Sequence, residues 1–170
     1  SGAVTCTDNN ILDSDVVFAG RNKQDIAVQS GSFLKLDGDG GDDTFTVSGG
    51  NIGSLVGGGG DNTFTVSGGQ LGLILARGGA DNVTFGGVAK AAEINLGAGD
   101  DTATITGGTI DTVQGNDGND TLTGGDGNDS IYAGIGDDTV YAGAGDDLIQ
   151  GQEGDDALFG GTGLPKLQSG

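Results

Sequence analysis

Aspartate recurs every nine residues through the C-terminal third of the chain. Neighbouring carboxylates at a fixed spacing repel one another unless a cation lies between them. Calcium is a hard cation that accepts about six to eight oxygen ligands, including carboxylates and backbone carbonyls, whereas magnesium demands tighter octahedral geometry and keeps its waters. The spacing therefore predicts a row of calcium-binding carboxylates at Asp120, Asp129, Asp138, Asp147 and Asp156.

Other kinds of site have little support in the residue types. The chain has no histidine and a single cysteine, Cys6, which excludes Ser-His-Asp and Cys-His machinery and an internal disulfide. A net charge of −19, from 25 acidic and 6 basic residues, would repel the phosphates of nucleic acid. No apolar run is long enough to span a membrane. We therefore expect neither an enzyme nor a nucleic-acid partner nor a membrane span.

The aspartates belong to five tandem nine-residue units that run from Gly115 to Phe159, and a sixth unit begins at Gly160. Glycine stands fourth in each unit, aspartate sixth and a large apolar residue eighth. The glycine-rich half predicts a turn, and the last three residues alternate outward, inward and outward as a strand does. The inward residues are Leu122, Ile131, Val140, Ile149 and Leu158.

Nine residues suffice for half a coil, so two units should make one coil of strands stacked about 4.8 Å apart. We predict an all-β fold, a right-handed parallel β-roll or β-helix solenoid with Gly/Asp-rich calcium-binding turns. Asp120, Asp138 and Asp156 should then stack on one side, with Asp129 and Asp147 on the other. Pairing each unit with the second one after it gives about four calcium sites in this stretch.

The first half of the chain repeats with a longer period. Pairs of acidic or amide residues follow its turns at spacings of 19 or 20 residues, which matches one whole coil. Asp43 and Asp101 are further candidate ligands, whereas Asn62 and Asn82 would make weaker or empty sites because an amide carries no charge. Turns on the other side, such as residues 48–51, lack aspartate.

The predicted organisation is one continuous solenoid. Residues 1–36 are an irregular N-terminal cap or first coil, with strands expected at 16–18, 26–28 and 33–36. Residues 37–114 are degenerate repeats of about 19 residues, 115–163 are tandem nonapeptides, and 164–170 form a tail.

The units resemble the GGxGxDxUx nonapeptide of the RTX (repeats-in-toxin) family, strictly over 115–163 and loosely over 38–104. The resemblance implies that the sixth-position aspartate and the turn carbonyls of stacked loops share each calcium ion. Ala133 and Ala142 replace the first glycine of the motif, which is tolerable if only the carbonyl binds. The further ligands implied are Gly115, Asp117, Gly124, Asp126, Gly127, Ala133, Ile135, Gly136, Ala142, Ala144 and Gly145.

The same resemblance implies a secreted bacterial protein that leaves the cell by a type I channel and folds on meeting calcium outside. Such a module could belong to an adhesin, a surface-layer protein or an exoenzyme, with neighbouring domains, cell-surface polysaccharide or itself as partner. Two alternatives stay open. The repeated Thr-x-Thr, as in Thr44–Thr46 and Thr63–Thr65, could line a flat face that binds ice or carbohydrate. The chain could also be a non-catalytic accessory module of a polysaccharide-acting enzyme.

Overall fold

A computed structural model describes residues 3–6, 23 and 25–170, and the strand expected at 16–18 lies outside them. The described residues form parallel strands and no helix, so they contain no helix that could cross a membrane. The strands are β1 (Ala3–Cys6), β2 (Asp25–Val28), β3 (Ser32–Asp37), β4 (Thr44–Gly59), β5 (Thr63–Gly78), β6 (Asn82–Phe85), β7 (Lys90–Ala98), β8 (Thr102–Ile105), β9 (Thr109–Asp117), β10 (Thr121–Asp126), β11 (Ser130–Ile135), β12 (Thr139–Ala144), β13 (Leu148–Glu153), β14 (Ala157–Phe159) and β15 (Lys166–Gln168).

The strands stack as a solenoid with two sides. In the C-terminal half each strand pairs with the next but one, β10 with β12 and β11 with β13, so a nonapeptide spans half a coil as predicted. The even-numbered strands β6 to β14 form one side and the odd-numbered strands β7 to β15 the other. The long strands β4 and β5 contribute to both sides, because glycines at 49–50 and 68–69 bend the chain within them. The all-β parallel prediction is confirmed.

Additional strands pair with the repeats at both ends. β2 and β3, at two of the expected strand positions, pair with β4. Residues 164–170, expected as a tail, contain β15, which pairs with β13.

From Asp25 onward the coils differ in length by one or two residues, and this corrects one prediction. The longest of these coils, of 20 residues, runs from Asp81 to Asp101, with its extra residue in the turn between Phe85 and Lys90. Asn82 therefore pairs with Thr63 as an exposed strand residue, and Asp81 stands level with Asn62. Asn82 was wrongly predicted to take the sixth position, because the two Asp-Asn pairs look equivalent in the sequence.

The core is a thin layer between the two sides. Phe45 and Phe64 stack face to face in adjacent coils, with ring centroids 4.8 Å apart, and Phe85 is fully buried nearby. In the C-terminal coils the inward residues are smaller. The predicted Leu122, Ile131, Val140 and Ile149 are all buried, and Leu158 packs partly buried against them.

Candidate metal centre

An inner carboxylate column runs up one edge of the solenoid, one member per coil, at the turn before each strand of the even-numbered side. Its members are buried or nearly so, although the side chains are acids or an amide. A shorter column of the same kind, Asp129 and Asp147, lies on the opposite edge. The inner column comprises Asp43, Asn62, Asp81, Asp101, Asp120, Asp138 and Asp156.

From Asn62 onward, Oδ1 of each inner-column side chain accepts a hydrogen bond from the backbone N–H of the column residue in the preceding coil. The backbone N–H of Asp101 donates to Oδ1 of Asp120 at 2.8 Å, and that of Asp120 donates to Oδ1 of Asp138 at 2.7 Å. The same bond joins Asp129 to Oδ1 of Asp147 at 3.0 Å. The predicted stacking of these aspartates on two sides is therefore what the structure shows. A turn amide that would otherwise be buried unpaired is satisfied in this way.

From Asp81 onward, the second oxygen of each column aspartate is buried and receives no hydrogen bond. A buried polar atom without a partner costs about 1–3 kcal/mol, and more when it is charged, so repeated orphans in one row call for a ligand. A cation is the ligand that fits, because an oxygen acceptor in an acidic row offers nothing to an anion. The orphaned Oδ2 atoms belong to Asp81, Asp101, Asp120, Asp129, Asp138, Asp147 and Asp156.

The electrostatics agree with this assignment. Burial, with a smaller effect of neighbouring carboxylates, raises the pKa of Asp101 to about 7 and that of Asp120 and Asp129 to about 6. Burial likewise raises the pKa of Asp81 and Asp138. Without a counter-ion the folded chain therefore disfavours the ionised carboxylates that a cation would stabilise.

Asn62 is the one amide in the inner column, and it differs from the aspartates because both of its polar side-chain atoms have hydrogen-bond partners. Its Oδ1 accepts from the N–H of Asp43 at 3.0 Å, as an aspartate would. Its Nδ2 takes the place of the second oxygen and donates to the carbonyl of Gly60 at 2.9 Å. The amide thus satisfies itself within its own turn and needs no cation.

The remaining ligands would have to be backbone carbonyls. No three acidic, histidine or cysteine side chains converge within the described part of the chain. The carbonyls of Ile135 and Ala144 each accept one N–H bond from the preceding coil, from Gly118 at 2.8 Å and Gly127 at 2.7 Å. A carbonyl oxygen has two lone pairs, so each keeps one for a cation. An all-oxygen set of single carboxylates and turn carbonyls fits calcium and not a soft metal.

The family comparison agrees with the geometry. A model described as the RTX calcium-binding nonapeptide repeat matches four copies, at residues 35–51, 105–140 and 132–164. The chain carries RTX calcium-binding repeats. Comparison with curated proteins found no match, and comparison with solved structures found none either.

A steric clash accounts for the glycine at the first position of the RTX repeat that begins at Gly124. A Cβ on Gly124 would lie 2.5 Å from the carbonyl oxygen of Ala142 and 2.7 Å from Oδ2 of Asp129, which is too close for a real side chain. Ala133 and Ala142 occupy the same position in other repeats with their methyl groups fully buried. The fold therefore accommodates alanine at these two positions, and the binding of a cation by its carbonyl stays a prediction.

Other predicted ligands lie around the column rather than in it. Asp117 and Asp126 are exposed on the outside of their turns, where their charge helps to raise the pKa of Asp120 and Asp129 respectively. The predicted turn glycines at the fourth position adopt left-handed backbone, which a side chain rarely does. They are Gly127, Gly136 and Gly145, with φ of 125°, 139° and 148°.

Sequence reasoning missed Asp81, which has the burial and the orphaned oxygen of the other inner-column aspartates. The coil lengths contain the signal, since placing the extra residue after Phe85 aligns Asp81 with Asn62.

Sequence reasoning also missed an outer ladder formed by the fifth position of the repeats. Here the N–H of Asp137 donates back to Oδ1 of Asn119 at 2.8 Å, and that of Asp155 donates back to Oδ1 of Asp137 at 2.9 Å. The outer bonds run toward the N-terminus and the inner bonds toward the C-terminus. Where both ladders are present, as between Asp120 and Asp138, two stacked turns are joined by one hydrogen bond in each direction.

Proposed function

We propose that this chain is a non-catalytic module whose RTX coils fold and stiffen on binding calcium, as part of a larger protein that works outside the cell. The observation that carries the proposal is the row of buried Oδ2 atoms without partners. Calcium binding offsets the free-energy cost of burying these oxygens. The binding free energy contributes to folding because the unfolded chain has no preformed site.

The proposed ligands are the column aspartates with turn carbonyls of the adjacent coil. We expect about four ions in the tandem repeats, since neighbouring acidic turns share each ion. Asp81 and Asp101 extend the same chemistry toward the N-terminus, whereas the coil of Asn62 should bind none.

An extracellular setting is supported by the family, whose members are typically secreted proteins. It is also consistent with the chemistry, since a chain of charge −19 that needs calcium to fold stays unfolded where calcium is scarce. Secretion by a type I channel, and a place in an adhesin, a surface-layer protein or an exoenzyme, are part of this proposal.

The test is far-UV circular dichroism of chelator-treated protein during calcium titration. We expect the β signal to fall on chelation, to return cooperatively with calcium and to be lost again with excess chelator. Magnesium at the same concentration should restore little, because it gives up its waters reluctantly. A spectrum indifferent to chelation and to added calcium would sink the proposal.

A further inference from the structure

The outward residues of the even-numbered side form a second ordered surface, here called the threonine face. Threonines lie in two columns, with one rung per coil, because the strands pair in register. Thr46 pairs with Thr65, Thr65 with Thr84 and Thr84 with Thr104. The face comprises Thr44, Thr46, Thr63, Thr65, Thr84, Thr102, Thr104, Thr121, Thr123 and Thr139.

This face is uncharged, although the molecule carries −19. Asn82 completes the first threonine column between Thr63 and Thr102, and Ala157 ends it. One acid, Asp25, precedes Thr44 at the N-terminal end of the first column, and from Thr44 to Ala157 the acids next to this face lie in the turns at its edges. A surface of hydroxyls without charge suits a neutral partner, since an anionic partner would meet only the acidic edges.

Two aromatic rings close the C-terminal end of the second column. Tyr141 pairs with Thr123, and Phe159 pairs with Tyr141. The rings stack with centroids 4.9 Å apart and planes 8° from parallel, and the two residues are 46% and 50% exposed. Exposed, ordered aromatic rings beside hydrogen-bonding groups are typical of binding surfaces.

We propose that the threonine face binds an extended neutral polysaccharide, in which one sugar ring packs against the exposed side of the Tyr141–Phe159 stack and the following sugars hydrogen-bond along the threonine ladder. A pyranose ring presents C–H bonds on its faces and hydroxyls at its rim, which complement aromatic rings and threonine hydroxyls respectively. Successive sugars in an extended chain advance by about the spacing of the strands. Tyr141 and Phe159 interrupt the threonine ladder with larger, half-exposed rings, which favours a sugar over the regular lattice of ice.

The experiment measures retention of the calcium-loaded chain on insoluble cellulose, chitin and mannan, with alginate gel as the anionic comparison. We expect retention on at least one neutral polymer, little on alginate, and elution by the matching soluble oligosaccharide. Tyr141→Ala should weaken binding about five- to tenfold, the scale of one aromatic contact. Thr65→Val with Thr84→Val, which keeps side-chain shape, should weaken it as well.

The matched controls lie on the opposite side of the solenoid. Tyr132 holds the same position in its repeat as Tyr141 but faces outward from β11, and Thr112 lies on β9. Tyr132→Ala and Thr112→Val should bind like the parent chain. Each variant is first checked for a normal calcium-induced β spectrum, which separates failure of this proposal from failure of calcium folding.

Three results would overturn the proposal. The first is no retention on any neutral polymer by a chain that folds with calcium. The second is equal loss of binding in the Tyr141 and Tyr132 variants. The third is thermal hysteresis without sugar binding, which would assign the face to ice.

Discussion

At the scale of the residue, a single atom distinguishes the two kinds of coil in the inner carboxylate column. In Asp81, Asp101, Asp120, Asp138 and Asp156, Oδ2 is buried without a donor. In Asn62, an Nδ2 group in the same place donates to the carbonyl of Gly60. The carboxylate is therefore suited to the calcium-loaded state and the amide to the metal-free state.

Replacing one carboxylate by its amide should move the two states in opposite directions. In Asp120→Asn, Oδ1 still accepts from Asp101, and the new Nδ2 can reach Gly118 as Asn62 reaches Gly60. We expect the metal-free fold to gain about 1–3 kcal/mol and the calcium affinity to fall. Urea denaturation with and without calcium measures both effects. Asp137→Asn, an exposed outer-ladder residue, is the control, and equal effects in the two variants would contradict the prediction.

The converse change should create a site. Asn62→Asp removes the bond to Gly60 and places a carboxylate between Asp43 and Asp81 in the column. We expect the chain to bind additional calcium, which native mass spectrometry can count. Thr63→Asp adds the same charge at an exposed position and should leave the count unchanged. An unchanged count in the Asn62 variant would refute the role given to this position.

The raised pKa values predict how pH acts on the metal-free chain. The folded-state pKa is about 7 for Asp101 and about 6 for Asp120 and Asp129, above the ordinary value of 3.8. Their contribution to stability is thus fully present below about pH 4 and is lost as the pH rises through about 6 to 7. Chelated protein should show more β signal at about pH 5 than at about pH 8.

Calcium binding should show the reverse pH dependence, because the ion requires ionised carboxylates. We expect the calcium concentration at half-folding to rise as the pH falls below about 6. A half-folding concentration that is constant across this range would show that the column aspartates are not the ligands.

At the scale of the element, the strict repeats were predictable because each nonapeptide encodes a turn and a strand in a fixed order. The inward residues and the two aspartate columns of 120–156 followed from that order. The position of Asp81 did not, because the extra residue of its coil lies in the opposite turn, after Phe85. Only the pairing of strands reveals which turn absorbs an insertion.

The stacking of one acidic turn on another limits which residues fit at the fourth position of the repeat. Gly127 and Gly145 hold the same turn position with φ of 125° and 148°. A Cβ on Gly145 would collide with the carbonyl oxygen of Gly127, whereas one on Gly127 would meet nothing within 4 Å. The difference arises because no acidic turn lies beneath Gly127.

Alanine substitutions at these two glycines should separate backbone strain from stacking. Gly127→Ala should lower the free energy of unfolding by about 1–2 kcal/mol, because an L-residue is strained in left-handed backbone. Gly145→Ala adds the collision and should cost more. Urea denaturation of the calcium-loaded variants gives the comparison, and equal losses would show that the coils shift freely to admit a side chain.

At the scale of the whole molecule, the apolar core is unevenly distributed. The N-terminal coils bury three phenylalanines, whereas the buried residues of the C-terminal coils are aliphatic, such as Ile131, Ile149, Ala133 and Ala142. Burial of a large apolar side chain contributes about 1.5–3 kcal/mol, so the C-terminal coils depend more on bound ions.

Hydrogen exchange should therefore lose protection unevenly when calcium is removed. We expect amides in 120–156 to exchange rapidly in chelator, while those in 44–105 retain more of their protection. The calcium-loaded chain should protect both regions. Equal loss throughout would mean that the coils unfold as one cooperative unit whatever their cores contain.

The half-coil nonapeptide also governs how such a chain can change in length. Removal of eighteen residues deletes one whole coil, and the carboxylate columns, the core and the threonine face of the remaining coils stay in register. Removal of nine residues moves every later strand to the opposite side of the solenoid. Gln150 would then lie on the threonine face, in the column that Tyr141 and Phe159 occupy in the present chain. Gain or loss of an odd number of units in this stretch would therefore change which side chains the threonine face presents, whereas an even number would leave the face in register.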